Sequence, residues 1–93
     1  MNKKRHRLEI IYDILSVIQE KSGKIKPTHI LYKSNLSHHM LTEYLAELLA
    51  KGFVIEEEDK KRNKTYMLTE KGFNYLRDYS VIKGFVESYG LDE

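Results

Sequence analysis

The sequence predicts an α+β domain, mainly α, in which helices carry most of the chain and one short β-hairpin interrupts them. Two patterns and a length predict it. Apolar residues recur at helical spacing in blocks that begin at Leu8, Leu41 and Phe73, whereas Phe53-Val54-Ile55 and Thr65-Tyr66-Met67-Leu68 read as short strands around a charged tip. At 93 residues the chain supports one small core of marginal stability, so a partner subunit is expected.

The chain opens on a basic arm, residues 1–7, holding Lys3, Lys4, Arg5 and Arg7. From Leu8 to Ile18, apolar side chains fill positions 8, 10, 11, 12, 14, 15, 17 and 18, leaving Glu9, Asp13, Ser16 and Glu20 as a polar strip. Such a helix is buried on most of its circumference, and its excess apolar surface is expected to meet a second subunit. Lys21-Ser22-Gly23 ends it, with Gly23 free to turn left-handed. Lys24-Ile25-Lys26 is expected to add a third strand to the small sheet. Pro27 suits the first position of a second helix running to Ser34, with Ile30 and Leu31 inward and Asn35 able to take positive φ in the turn that follows.

Ser37 stands as an N-cap, and Leu36 and Leu41 are spaced as a hydrophobic staple at the start of the third helix. Leu41, Tyr44, Leu45, Leu48 and Leu49 share its inner face; His38, His39, Thr42, Glu43, Ala46, Glu47 and Ala50 share the outer one. Gly52 closes it with a left-handed cap. The run from Glu56 to Lys64 has no apolar residue and reads as the loop of the hairpin. Thr69-Glu70 caps a last helix, in which Tyr75, Tyr79, Ile82, Val86 and Tyr89 recur as a coiled-coil seam. Phe73 and Leu76, with Ser80, are expected to close the domain core, while Val81 and Phe85 widen the apolar face.

A helix followed directly by a hairpin with a basic loop is the outline of a winged helix-turn-helix. Asn35-Leu36-Ser37, Tyr44-Leu45, Leu48, Lys51-Gly52 and Tyr66-Met67-Leu68-Thr69-Glu70-Lys71-Gly72 together resemble the archaeal winged-helix family, including the small ten-kilodalton Sulfolobus DNA-binding proteins. The resemblance spans roughly residues 8–76. It implies a winged-helix core over 8–69, a C-terminal dimerisation helix over 70–89, and one domain over 1–93. It also implies a DNA-binding regulator or chromatin-type protein. The last helix ends sooner than the rod of those relatives.

Composition narrows the function. With no cysteine there is no disulfide, zinc finger or thiol nucleophile, and no apolar run is long enough to span a membrane or serve as a secretory signal. A cytoplasmic, nucleoid-associated protein is expected. His39 and Glu43 are two potential metal ligands without a second pair, and neither a phosphate loop nor a nucleophile elbow is present, so no metal, cofactor, small-molecule substrate or enzymatic activity is expected. The net charge is only +2, but eight of the sixteen Lys and Arg residues lie in the arm and in Lys60, Lys61, Arg62 and Lys64 of the hairpin loop.

In a winged helix, the first two turns of the third helix reach the major groove, which makes Ser37, His38, His39, Thr42 and Glu43 the candidate base readers. No Arg, Asn or Gln lies there, so bidentate reading of guanine or adenine is not available and modest sequence specificity is expected. Affinity is then expected from Lys60, Lys61, Arg62 and Lys64 in the wing and Lys3, Lys4 and Arg5 in the arm. The expected partners are double-stranded DNA and a second copy joined through Tyr75, Tyr79, Ile82, Val86 and Tyr89. The alternative is a winged helix of the transcription apparatus that docks protein through the acidic face of its third helix.

Overall fold

The computed structural model describes residues 5–21 and 25–91. Along them run α1 (Arg7–Glu20), α2 (Pro27–Ser34), α3 (His38–Ala50), β1 (Val54–Glu58), β2 (Lys64–Leu68) and α4 (Glu70–Ser88). The fold is mainly helical with a two-stranded antiparallel hairpin, in the winged-helix arrangement.

α1 lies at the centre. It packs against α2, α4 and β2, and those contacts bury Ile10, Ile11, Ile14, Leu15, Val17 and Ile18 within the single chain. Burying each such side chain is worth about 1.5–3 kcal/mol, more than any cap or surface ion pair in the molecule. The expectation that α1 has apolar surface to spare for a second subunit is therefore corrected. Tyr12 is half-buried against the core, and of the eight apolar positions only Leu8 stays open, at 55%. Ile30 of α2, Leu41, Leu45 and Leu48 of α3, Val54, Tyr66 and Leu68 of the hairpin and Leu76 of α4 complete the core.

The local signals act as their chemistry requires. Asn35 takes φ +56° at the end of α2, and the Ser37 hydroxyl accepts from the Met40 N–H at 3.1 Å to cap α3. Ile25 bridges to Tyr66, so the expected third strand is a single pairing, and Gly23 and Lys24 lie outside the described residues. Strand pairing runs from Val54 opposite Leu68 to Glu58 opposite Lys64. Glu56, Glu57, Glu58 and Lys64 thus belong to strands and not to the loop, which shrinks to the turn from Asp59 to Asn63. Ile25 takes the far side of β2, and β1 has no neighbour on its outer edge among the described residues.

The end of α3, the start of β1 and the start of α4 meet at one knot of backbone. Gly52 takes φ +79°, and the N–H groups of Gly52 and Phe53 donate back to Leu49 and Leu48 at 3.2 and 2.9 Å. Thr69 then ties α4 to this corner. Its N–H donates to the Phe53 carbonyl at 3.1 Å, and its hydroxyl donates to the Gly52 carbonyl at 2.5 Å and accepts from the Gly72 N–H at 3.2 Å. Lys71 reaches across to the Lys51 carbonyl at 2.8 Å, its ammonium 4.6 Å from the centre of the Phe53 ring. A Cβ on Gly72 would collide with the Phe53 carbonyl oxygen.

In α4, Leu76 closes the core as expected, but Phe73 is 48% exposed and takes no such part. The neighbouring stripe does its work instead. The Tyr75 ring meets Phe53 edge-on at 5.7 Å and its hydroxyl donates to the Leu8 carbonyl at 2.6 Å, while Tyr79 lies 4.9 Å from the Tyr12 ring. Beyond Tyr79 the helix leaves the domain: Val81, Ile82, Phe85 and Tyr89 are all at least 58% exposed.

Because backbone fills the space beside Gly72, Gly72→Ala is expected to lower stability in urea unfolding by about 1–3 kcal/mol. Gly84, also in α4, has nothing within 4 Å of an added Cβ, so Gly84→Ala should raise stability by up to about 1 kcal/mol. Equal effects of the two substitutions would contradict this account of the corner.

Candidate nucleic-acid interface

Three elements come together on one side of the domain: α3, the start of α2 and the paired strands of the hairpin at Glu56, Lys64 and Tyr66. Between them runs a cleft of about 430 Å³, whose floor includes Leu31, Leu45 and Leu49 and whose rim includes Thr28, His38, Thr42 and Lys64. Behind the cleft α2 packs against β2, with Ile25 just before the helix paired to Tyr66.

On α3, His38, His39, Thr42 and Glu43 all point into solvent, as the helical spacing requires. Their chemistry is less free than their exposure. The Thr42 hydroxyl donates to the His38 carbonyl at 2.9 Å, leaving its oxygen as an acceptor. His39 Nε2 lies 3.3 Å from a Glu43 carboxylate oxygen, one helical turn away. Ser37 caps the helix with its oxygen, so its contribution to this face is to fix where α3 begins.

The wing tip is a rigid turn. The Asp59 carboxylate accepts from the N–H groups of Asn63 and Lys61 at 2.9 and 2.8 Å, and these bonds hold its pKa below the usual carboxylate range, the Asn63 bond contributing most. Arg62 takes φ +65°, the left-handed third position of a three-residue hairpin loop. Lys60, Lys61 and Arg62 are exposed and make no ion pair among the described residues. Lys64 differs from them. It sits in β2 opposite Glu58, with its ammonium 3.9 Å from a Glu56 carboxylate oxygen that also accepts from the Tyr66 hydroxyl at 2.7 Å. Burial, and then that bond to Glu56, push the Tyr66 phenol pKa up.

Lys3 and Lys4 lie outside the described residues, and Arg5 folds back on its own domain, donating to Asp13 at 2.7 Å and to the Asn35 carbonyl at 3.2 Å. Arg7 pairs with Glu47 on α3, and the same carboxylate accepts from Lys51 at 3.0 Å. Sequence reasoning singled out neither the Arg7–Glu47–Lys51 cluster nor Thr28. The i,i+4 spacing of Glu47 and Lys51 signalled half of the cluster, but nothing local connects Arg7 to a residue 40 positions away. Among the described residues no three potential metal ligands gather, and no helix is long and apolar enough to cross a membrane.

A helix-turn-helix with a cation-tipped hairpin set against its second helix defines a winged-helix domain of the kind found in DNA-binding and transcription-regulator structures. The chain belongs to the winged helix-turn-helix family, whose model matches residues 4–86. It is 35% identical over 69 residues to an uncharacterized protein, MJ0287, of the archaeon Methanocaldococcus jannaschii, a match covering 74% of this chain and 64% of that protein. Among solved structures it is similar to Sso10a-2, a DNA-binding protein from Sulfolobus solfataricus, with 24% identity, a TM-score of 0.75 and coverage of 92% and 90% of the two chains. It is also similar to the PcaV transcriptional regulator from Streptomyces coelicolor, with 16% identity and a TM-score of 0.79 over 86% of this chain and 60% of that one. At such identities these two likenesses concern the fold.

The Glu47 carboxyl is held at a pKa of about 2, first by Arg7 and then by Lys51. A carboxyl depressed in the folded state contributes stability above its unfolded pKa, which is lost as pH falls from about 4.5 toward 2. Glu47→Gln is therefore expected to flatten the acid limb of the stability curve in that window, read by thermal melts at fixed ionic strength. An identical limb would remove Glu47 from the linkage.

Proposed function

We propose that this protein binds double-stranded DNA as a transcription regulator or chromatin-type protein, with α3 against the major groove and the wing tip on the phosphate backbone. The observation that carries this reading is the pairing of a rigid, cation-tipped turn with a helix face of small and hydrogen-bonding side chains. Lys60, Lys61 and Arg62 make no ion pair among the described residues and match phosphate, whereas the exposed His38 ring and the Thr42 oxygen can meet base edges. Without Arg, Asn or Gln on that face, discrimination between sequences is modest, and binding is sequence-tolerant or nearly so. Such a protein acts where duplex DNA is, in the cytoplasm on the nucleoid.

The alternative, docking of a protein on the acidic face of α3, has less support because Glu47 is neutralised by Arg7 and Lys51. A gel shift of arbitrary duplex DNA at low salt separates the two readings. Each phosphate contact contributes about 0.9 to the slope of log affinity against log salt. Replacing Lys60, Lys61 and Arg62 together by Ala should flatten that slope by roughly 2–3 and weaken binding alike on all duplexes, whereas Lys64→Ala, already paired with Glu56, should change it by well under 1. An unchanged slope in the triple variant would refute the wing as the phosphate contact.

The reading includes a second copy of the chain on α4. Of the expected seam, Tyr75 and Tyr79 are turned toward their own domain, so the surface left for pairing centres on Ile82 and Tyr89, widened by Val81 and Phe85, with Val86 half-buried beside them. α1 adds little beyond Leu8. A twofold pair of this kind sets two recognition helices against one duplex. Light scattering across a dilution series should give a dimer for the wild type and a monomer for Ile82→Glu. A wild type that stays monomeric at high micromolar concentration would rule out this pairing.

A further inference from the structure

Six of the seven tyrosines have a place in the packing or on the open end of α4, and Tyr32 does not. Tyr12, Tyr44, Tyr66, Tyr75 and Tyr79 are buried or half-buried, and Tyr89 stands beside Phe85 at 5.1 Å on α4. Tyr32 is 79% exposed, more than any other large hydrophobic side chain among the described residues. Within those residues its ring faces no other ring or cation and its hydroxyl meets no partner.

An exposed tyrosine by itself requires no explanation. Its position does the arguing. Tyr32 follows Thr28 by four residues and shares its stripe of α2. Thr28 lines the same cleft as His38 and Thr42 of α3 and Lys64 of the hairpin. The stripe therefore borders the face that holds both the recognition helix and the wing. A phenol suits the edge of a wet, anionic interface, because its ring is amphipathic and its O–H is a neutral donor that costs little to order.

Resting on the DNA-binding reading above, we infer that Tyr32 is a backbone contact, its phenolic O–H donating to a phosphate oxygen on the strand that flanks the groove entered by α3. The contact positions α2 across the backbone and carries no sequence information. It also differs in kind from the wing contacts, since a neutral donor displaces no bound counterion.

The test uses fluorescence anisotropy of the full chain with labelled duplexes of unrelated sequence, over a range of salt. Tyr32→Phe keeps the ring and removes only the donor. It should weaken binding roughly tenfold on every duplex, the size expected for a hydrogen bond to a charged group, while leaving the salt slope and the thermal melt as in the wild type. If Tyr32→Phe binds as tightly as the wild type, the contact is overturned, even if Tyr32→Ala weakens binding through loss of the ring. A loss accompanied by an altered melt would also overturn it, since the residue would then act through folding. Failure of the unsubstituted protein to bind any duplex would instead overturn the DNA reading and this contact with it.

Discussion

The carbonyl of Phe53 is the point on which the architecture turns. It accepts from Thr69, and Gly72 packs so close that a methyl group has no room, so α4 begins where α3 has just ended and β1 has just begun. The ammonium of Lys71 on the Lys51 carbonyl adds a cation at the negative end of the α3 dipole. Helix, wing and C-terminal helix are thereby one body. The joint between α3 and the wing is tied by backbone at Gly52 and Phe53 and not by side-chain packing alone.

Around that frame, some of the charges are answered within the chain. Arg7 and Lys51 meet Glu47, Arg5 meets Asp13, His39 meets Glu43 and Lys64 meets Glu56. Exposed pairs of this sort contribute about 0–1 kcal/mol each, so their main effect is not on stability. They decide which charges remain for a partner. A net charge of +2 says little in itself; among the described residues Lys60, Lys61 and Arg62 form a cluster of exposed cations without an ion pair.

Most of the fold was legible in the sequence because its signals are local. Asn35, Ser37, Gly52 and Thr69 each act on backbone within a few residues, and each takes the conformation its chemistry favours. What escaped depends on distance along the chain. Glu56, Glu57 and Glu58 have no strand preference of their own, and pairing with Lys64 to Tyr66 is what extends β1 through them. The apolar pattern of α1 states how much of that helix is buried but not by what, and three elements of the same chain turn out to suffice. Phe73 and Tyr75 exchanged their expected roles because Phe53 and the Leu8 carbonyl, both remote in sequence, favour the tyrosine. For the candidate interface, the exposed face of α3 and the wing cations could be read from spacing, whereas the internal tethering of Arg5 and Arg7 could not.

The outer side of β1, which has no neighbour among the described residues, has a consequence for how copies of this protein behave when crowded together. An unpaired strand invites another strand to join it, and two copies meeting edge to edge would build a continuous sheet. Here that edge reads Glu56-Glu57-Glu58, so any such meeting sets carboxylate against carboxylate. Like charges on that edge disfavour such a pairing, so the hairpin can stay open on this flank without acting as a template for a second copy.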